Sequence, residues 1–367
     1  MCQSTDQFDY PFDDTLIAPA PLKRRSQSRL LIYHRKTGEI AHQRFASMIQ
    51  WLRPDDLLVI NNTKVFPARL KARKGKKGEE GGGAVELLLL RPVQGDASPL
   101  CWEVLVKGNF SDTLTLHGGG RAHLIEEMGQ GKKKILFELP MGETLHPYLE
   151  KWGEIPIPPY ILRRRKMPLQ KDEGQGAGPL PINLNDADGY QTVYAERIGS
   201  IAAPTAGLHF TKRLIAAIQK KGIRVATITL HVGADTFQPI SVGRLDQHKM
   251  SGEWFEIPDE TVYAFAEAKR LGGRIIAVGT SVMRALESAS DGKNGVSKGS
   301  GETDLFITPG YRFRAVDLLI TNLHPPRSTG LVLVSAFAGH DHILDVYQKA
   351  MEKRYRFFTY GDAMLIV

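Results

Sequence analysis

The 367-residue sequence is poor in cysteine, lacks long apolar runs and carries none of the common nucleotide or metal fingerprints. Its two cysteines, Cys2 and Cys101, form no CxxC and accompany no histidine pair. That argues against a disulfide framework and a structural zinc, and it fits a reducing cytoplasm. No apolar run approaches the ~20 residues of a membrane helix, so no membrane association is expected. The start, MCQSTDQFDYPFDD, has no basic segment leading into an apolar one and does not read as a secretory signal. GxxxxGKS/T, a strand-borne GxGxxG, GxSxG and HExxH are all missing. The usual warrants for ATP hydrolysis and nicotinamide redox chemistry go with them. His340 and His342 flank Asp341, a spacing that reads as a polar loop and not as a metal site. Neither a metal nor a prosthetic group is expected.

What is present is an ordinary globular composition, 42% hydrophobic and 24% charged, with a net charge of +8. This length suggests two domains, or one domain with an insertion. The positive excess is clustered. One run holds Lys71, Arg73, Lys74, Lys76 and Lys77, a second Lys132, Lys133 and Lys134, and a third Arg163, Arg164, Arg165 and Lys166. Solvated loop charge explains any one run; three together fit a polyanion, with nucleic acid the first candidate.

The stretch SIAAPTAGLHF over 200–210 anchors the reading. It is built of small residues, is interrupted by Pro204 and Gly207, and leads into a helix with Thr211 placed to cap it and Gly222 to end it. Strands are predicted over 16–18, 29–33 and 56–60, and a short amphipathic helix over 45–52. Between 67 and 139, short strands at 84–90, 102–106, 113–116, 121–125 and 135–139 alternate with glycine-rich turns, the pattern of a small antiparallel barrel. A helix over 146–152 and an extended, proline-rich linker over 155–161 follow, and 171–188 reads as a loop. From 223 onward strands and helices alternate: strands at 223–230, 274–278, 317–320 and 363–367, and helices at 259–271, 282–289, 331–337 and 343–353. The fold class is therefore α/β, a layered α/β main domain with an inserted small antiparallel β-barrel. The domains are expected at 1–66 with 153–367 (main, catalytic) and at 67–152 (barrel).

Ligands of such sheets sit beyond the carboxyl ends of the strands. The loops NNTK, HVGAD, GTS and TNLH each follow a strand directly and, with APTAGLH, should meet in one crevice. Loop position nominates Asn61, Thr63, Pro204, Thr205, Gly207, Gly233, Thr236, Gly279, Thr280, Arg284, Asn322, His324 and Tyr360 for substrate binding. His209 and His231 are the candidate proton carriers, although a lone histidine is more often a satisfied core group. Asp235, Glu253 and Asp362 are the carboxylates available as a base. Arg284 and Glu287 lie one helical turn apart and could simply pair.

In order along the chain, FDYPFDDTLIAPAPLKRRSQSRLL, NNTKVFPARL, IPIPPYI, YQTVYA, AAPTAGLHFT, TLHVGADTFQPI, AVGTSVMRALES, TPGYRF, TNLHPPRST, SAFAG and YRFFTYGDAMLI resemble one family. It is the S-adenosylmethionine:tRNA ribosyltransferase-isomerases of queuosine biosynthesis. The chain departs from that pattern with Asp235 for glycine, Ser251 for a second histidine, Asn62 for Asp, Ser281 for Thr, Leu323 for Phe and Gly330 for Leu. The resemblance implies S-adenosylmethionine as a co-substrate that donates ribosyl, not methyl. It implies a tRNA partner carrying 7-aminomethyl-7-deazaguanine at the wobble position, with epoxyqueuosine, adenine and methionine as products. On this reading His209, His231, Asp235 and Asp362 are the catalytic candidates, and the basic runs hold the anticodon stem-loop. A monomer in the cytoplasm is the expectation for assembly and place. An RNA methyltransferase and a non-catalytic RNA-binding protein are the alternatives.

Overall fold

The structure, a computed structural model, describes residues 3–75, 83–93, 95–96, 98–167, 185–293 and 295–367, without the side chains of residues 235 and 237. Lys76, Lys77 and most of the expected 171–188 loop lie outside the described residues. The chain divides into two compact units. One comprises the residues up to Lys64, Ile157–Arg197 and Ala203–Val367, the other Val65–Pro156 and Ile198–Ala202.

The larger unit is built on a nine-stranded sheet. Its order is Gly299–Thr303, Glu253–Ile257, Arg224–Leu230, Leu57–Asn61, Ile275–Val278, Leu318–Asn322, Ala363–Ile366, Arg29–Tyr33 and Ile40–Arg44. The four strands from Arg224–Leu230 through Leu318–Asn322 run parallel. Leu57–Asn61 reads LLVIN and is buried along its whole length, as expected of a parallel strand covered on both faces. On one face, Leu58, Ile60, Ile276, Val278 and Ile320 form a core with Phe45 and Met48 of the 3-10 helix Phe45–Trp51. Leu214 and Ile218 of the helix Lys212–Lys220 complete it. The Thr211 hydroxyl accepts the Leu214 N–H at 3.1 Å and caps that helix, and Gly222, at φ +87°, turns the chain back after it.

Parallel strands place their carboxyl ends on one edge. Asn61, Leu230, Val278 and Asn322 therefore end side by side. The loops NNTK, HVGAD, GTS and TNLH leave from that edge. This register, more than any loop sequence, gathers the residues discussed below.

The smaller unit contains a closed, six-stranded antiparallel barrel. Around it run Lys132–Glu138, Cys101–Lys107, Ala84–Pro92, Arg69–Lys74, Thr113–Leu116 and Arg121–Gly129. Arg69–Lys74 was not among the expected strands, and Lys132–Lys134, read as a basic surface run, opens another. Alternation turns Lys133 inward, where it is 6% exposed. Its ammonium donates to Glu127 at 2.5 Å and to the Phe110 carbonyl at 3.1 Å.

Further elements differ from the sequence reading. The 16–18 stretch is the end of a 3-10 turn, Asp14–Leu16, followed by a single bridge from Ile17 to Phe357. The proline-rich segment is not extended throughout: Pro159 opens the helix Pro159–Lys166, its missing N–H costing nothing at a first helical position. Glu253–Ile257 and Gly299–Thr303 are strands that the sequence reading did not identify. Among the described residues no helix is long and apolar enough to cross a membrane.

Candidate active site

The carboxyl edge of the parallel strands opens into a cavity within the larger unit. One wall is Ala203–Ala206 of the small-residue stretch, a second is Gly279–Ser281, and a third is Thr321–Pro325. Ser328–Gly330 and Leu305–Ile307 close it, with Leu333 and Phe358 adding apolar surface. Gly279 sits at φ +96° and extended ψ, the N-cap of the helix Thr280–Ser288. A side chain is strained at that φ, so glycine lets the strand turn sharply and point the first free N–H groups of the helix toward the cavity edge.

The polar end is organised by a buried ion pair. Glu253 is 6% exposed and Arg284 8% exposed. One carboxylate oxygen of Glu253 accepts from the Arg284 guanidinium, and the other accepts the Gly233 N–H at 2.6 Å. Arg284 also donates to the carbonyls of Leu305 (2.9 Å) and Thr303 (3.2 Å). The expected pairing of Arg284 with Glu287 does not form, because Glu287 accepts the backbone N–H groups of Arg314, Ala315 and Val316 instead. Arg284 thus borders the cavity with its guanidinium engaged, tying the HVGAD loop to the Leu305–Ile307 wall.

The NNTK loop is a hub behind the cavity. The Asn61 side chain accepts from the N–H groups of Thr63 (3.0 Å) and Leu230 (3.1 Å), and its amide donates to the Leu230 carbonyl at 2.9 Å. Its link to the cavity wall is a 3.3 Å bond to the Ser281 hydroxyl. Thr63 Oγ1 lies 2.8 Å from Nδ1 of His231, whose ring stacks on Trp254 with centroids 5.0 Å apart.

The three histidines of the strand-end loops differ in use. His209 has both ring nitrogens committed, Nδ1 to the Ser28 hydroxyl at 2.8 Å and Nε2 to Asn322 Oδ1 at 3.2 Å. The Asn322 amide donates to the carbonyls of Phe358 (2.8 Å) and Thr359 (3.2 Å), so its oxygen must accept and Nε2 of His209 carries the proton. His209 is therefore a strut beneath Asn322, and it does not line the cavity. His324 does line it, with Nε2 held 2.7 Å from Thr321 Oγ1 and Nδ1 without a partner among the described residues. His231 also leaves Nε2 without one among the described residues, but it is not among the residues that line the cavity. Burial lowers all three to about 4, so each is neutral near pH 7; Arg197 adds to the effect at His231.

A model of the queuosine biosynthesis protein family matches residues 5–366. The chain belongs to that family. Among its relatives, the S-adenosylmethionine:tRNA ribosyltransferase-isomerase of Trichlorobacter lovleyi is 44% identical, over 98% of this chain and 99% of its own. The protein of that name from Staphylococcus epidermidis is 43% identical over 99% of each chain. The crystal structure of the S-adenosylmethionine tRNA ribosyltransferase of Thermotoga maritima aligns with a TM-score of 0.52 at 32% identity, covering 98% of this chain and 100% of that one.

In this family member, Pro204, Thr205, Thr236, Gly279, Thr280, Arg284, Asn322 and His324 are the expected site residues that the cavity brings together. Asn61, Thr63 and Gly233 stand behind its wall through the bonds described, and Gly207 packs against Tyr194 and Thr192. Asp235 lies in the turn Ala234–Phe237, its side chain outside the described atoms. Asp362, expected as a base, is 1% exposed and has both oxygens occupied. They accept from the N–H groups of Arg29 (2.9 Å) and Arg356 (2.9 Å) and from the Arg356 guanidinium (2.7 Å). It fastens the closing strand and does not line the cavity. Tyr360, expected at the pocket border, is buried beside Tyr190, also away from the cavity. The sequence reading missed Thr321, Leu305–Ile307, Ser328–Gly330 and Phe358. Thr321 was legible as the first letter of TNLH, whereas the 305–307 segment follows a strand with no apolar signature.

Proposed function

We propose that the chain is an S-adenosylmethionine:tRNA ribosyltransferase-isomerase. It moves the ribosyl group of S-adenosylmethionine onto 7-aminomethyl-7-deazaguanine at the tRNA wobble position, forms epoxyqueuosine, and releases adenine and methionine. The observation that carries the reading is the meeting of the small-residue stretch, GTS and TNLH at one cavity, in a chain matched end to end by enzymes of that name.

The donor's chemistry suits such a cavity. A sulfonium acidifies the adjacent 5′ carbon, so a weak base suffices to take its proton. Opening of the ribose then expels adenine, which takes up a proton as it leaves. The acceptor's aminomethyl nitrogen bonds to a carbon of the opened ribosyl group and gives up a proton, and an oxygen of that group displaces methionine from its sulfonium to close the epoxide. These steps need proton carriers and exclusion of water. Thr205, Thr280 and the helix N-terminus at Gly279 orient the donor's polar groups, while Leu305–Ile307, Leu333 and Phe358 supply apolar contact. Of the histidines, His324 keeps a free ring nitrogen at the cavity and is the candidate carrier; His231 keeps one too but stands with Thr63 behind the lining residues, and His209 serves by holding Asn322. S-adenosylmethionine is a substrate here, not a resident cofactor.

Incubating the purified protein with labelled S-adenosylmethionine and base-modified tRNA is expected to yield free adenine and methionine together. S-adenosylhomocysteine in their place would make the protein a methyltransferase. Binding of tRNA without consumption of donor would make it a non-catalytic RNA-binding protein.

A further inference from the structure

The strands at the far side of the sheet bring further residues to the edge where the cavity opens. Ala363–Ile366 runs antiparallel to Leu318–Asn322, so Ala363 stands opposite Asn322. Arg29–Tyr33 runs parallel to Ala363–Ile366 with Leu30 opposite Ala363, and Ile40–Arg44 returns antiparallel with Arg44 opposite Arg29. Arg29 and Arg44 therefore stand on the same edge as Asn322, which lines the cavity. Three strand spacings, about 14 Å, separate the Arg44 backbone from that of Asn322.

Two arginines directly opposite on neighbouring strands repel and weaken the sheet. A third cation joins them. Arg29 donates to the carbonyls of Lys353 (2.7 Å) and Arg354 (3.3 Å), where the helix His340–Glu352 ends, and its guanidinium lies 3.7 Å from the centre of the Tyr355 ring. Arg44 is exposed and donates to the Gln27 carbonyl at 3.0 Å; Lys353 is exposed as well. The acids beside them are engaged elsewhere. Asp362 holds Arg356 and the Arg29 N–H, Asp13 lies 3.9 Å from Arg354, and Glu352 accepts from the Gln348 amide. Among the described residues no carboxylate is paired with the side chain of Arg29, Arg44 or Lys353. An edge strand gains from a charge, and a helix end, with about half a negative charge, gains from a cation, which explains each residue singly. Three cations gathered without a carboxylate, on the cavity's own edge, call for an anion from outside.

We propose that Arg29, Arg44 and Lys353 form a cationic ledge that binds backbone phosphates of the RNA beside the nucleotide whose base enters the cavity. This rests on the tRNA acceptor assigned above. About 14 Å is roughly four nucleotides along a stacked strand, so a phosphate on the ledge and a base in the cavity belong to one short stretch of RNA. None of the three cations belongs to a basic run singled out from the sequence; strand register brings them together.

The test uses the full chain and base-modified tRNA, with the salt dependence of affinity measured for Arg44→Gln, Lys353→Gln and the double variant. Lys36→Gln is the control, because it removes an equal charge from the exposed turn at the opposite end of the same hairpin. One lost phosphate contact flattens the log–log slope by about 0.7–0.9. Arg44→Gln and Lys353→Gln should each do so, with affinity falling about five- to eightfold at 0.1 M salt and hardly at all at 1 M. The double variant should flatten the slope about twice as far. Arg44→Gln should melt no lower than the parent, since it removes the repulsion from Arg29. S-adenosylmethionine should bind every variant equally, and Lys36→Gln should leave the slope alone. A slope unmoved by Arg44→Gln and Lys353→Gln, or flattened as much by Lys36→Gln, would overturn the ledge. So would capture of anionic-lipid vesicles through Arg44 and Lys353 with the tRNA slope unmoved, which would make it a membrane contact. If the parent binds the tRNA and releases adenine while the variants keep its slope, only the ledge fails; if the parent binds no tRNA, both readings fail.

Discussion

His209, Asp362 and Arg284 all carry groups suited to catalysis, and all three are held by protein partners. Burial explains why the sequence alone misjudges them: a histidine or carboxylate at a strand end reads the same whether its partners are substrate atoms or backbone N–H groups. His324 was legible as a binding residue because TNLH follows a strand; the nearness of Arg29 and Arg44 was not, since it comes from strand register and not from spacing. The neutral state of these three histidines, one buried and two half-buried, has a measurable consequence. Each sits at about 4 in the folded protein against 6.5 for the free group. The unfolded chain thus binds protons more readily between those values. Their contribution to stability is complete above pH 6.5 and is lost as pH falls toward 4. The melting temperature should accordingly start to drop just below pH 6.5, in the upper part of that interval, where ordinary carboxylates are still ionised. A melting temperature flat from pH 7 to 4.5 would contradict the burial of these rings.

Among the elements, the alternation of apolar strands with helices was readable because parallel strands buried on both faces are nearly continuous in apolar residues, as LLVIN is. Gly299–Thr303, GSGET, carries no such signal, and it pairs at the sheet edge only because Glu253–Ile257 lies beside it. These two edge strands nevertheless shape the cavity, since Glu253 starts one and the Thr303 carbonyl that ends the other accepts from Arg284. Replacing Glu253 by Gln tests that link. An amide can accept from the Gly233 N–H or from Arg284, but its NH2 then faces the remaining donor. Breaking one partner of a buried pair costs about 3–5 kcal/mol. Part of that cost should fall on the HVGAD loop, raising the KM for S-adenosylmethionine about tenfold or more while the tRNA affinity holds. A KM within twofold of the parent would show that the loop keeps its place without this carboxylate.

For the whole molecule, a net charge of +8 and an acidic polymer as partner make ionic strength the decisive variable. The basic runs contribute unequally, and only the fold shows how. Lys132, Lys133 and Lys134 face Glu103 (3.4 Å), Glu127 (2.5 Å) and Asp96 (3.0 Å), and Arg165 is bound by Asp186 at 2.7 Å. Their charge is largely spent within the protein. Arg73 and Lys107, on barrel strands, have no carboxylate partner among the described residues, which makes them the substitutions to test for contact with phosphates. tRNA affinity is expected to fall linearly on a log–log plot against salt. Arg73→Gln and Lys107→Gln should each flatten the slope by about one, with the melting temperature unmoved. Lys133→Gln should do the reverse, lowering the melting temperature and leaving the slope alone, because it removes a buried charge from Glu127 and a donor from the Phe110 carbonyl. If all three substitutions flatten the slope equally, net charge alone governs the encounter, and the pairing inside the barrel has no bearing on how the RNA is held.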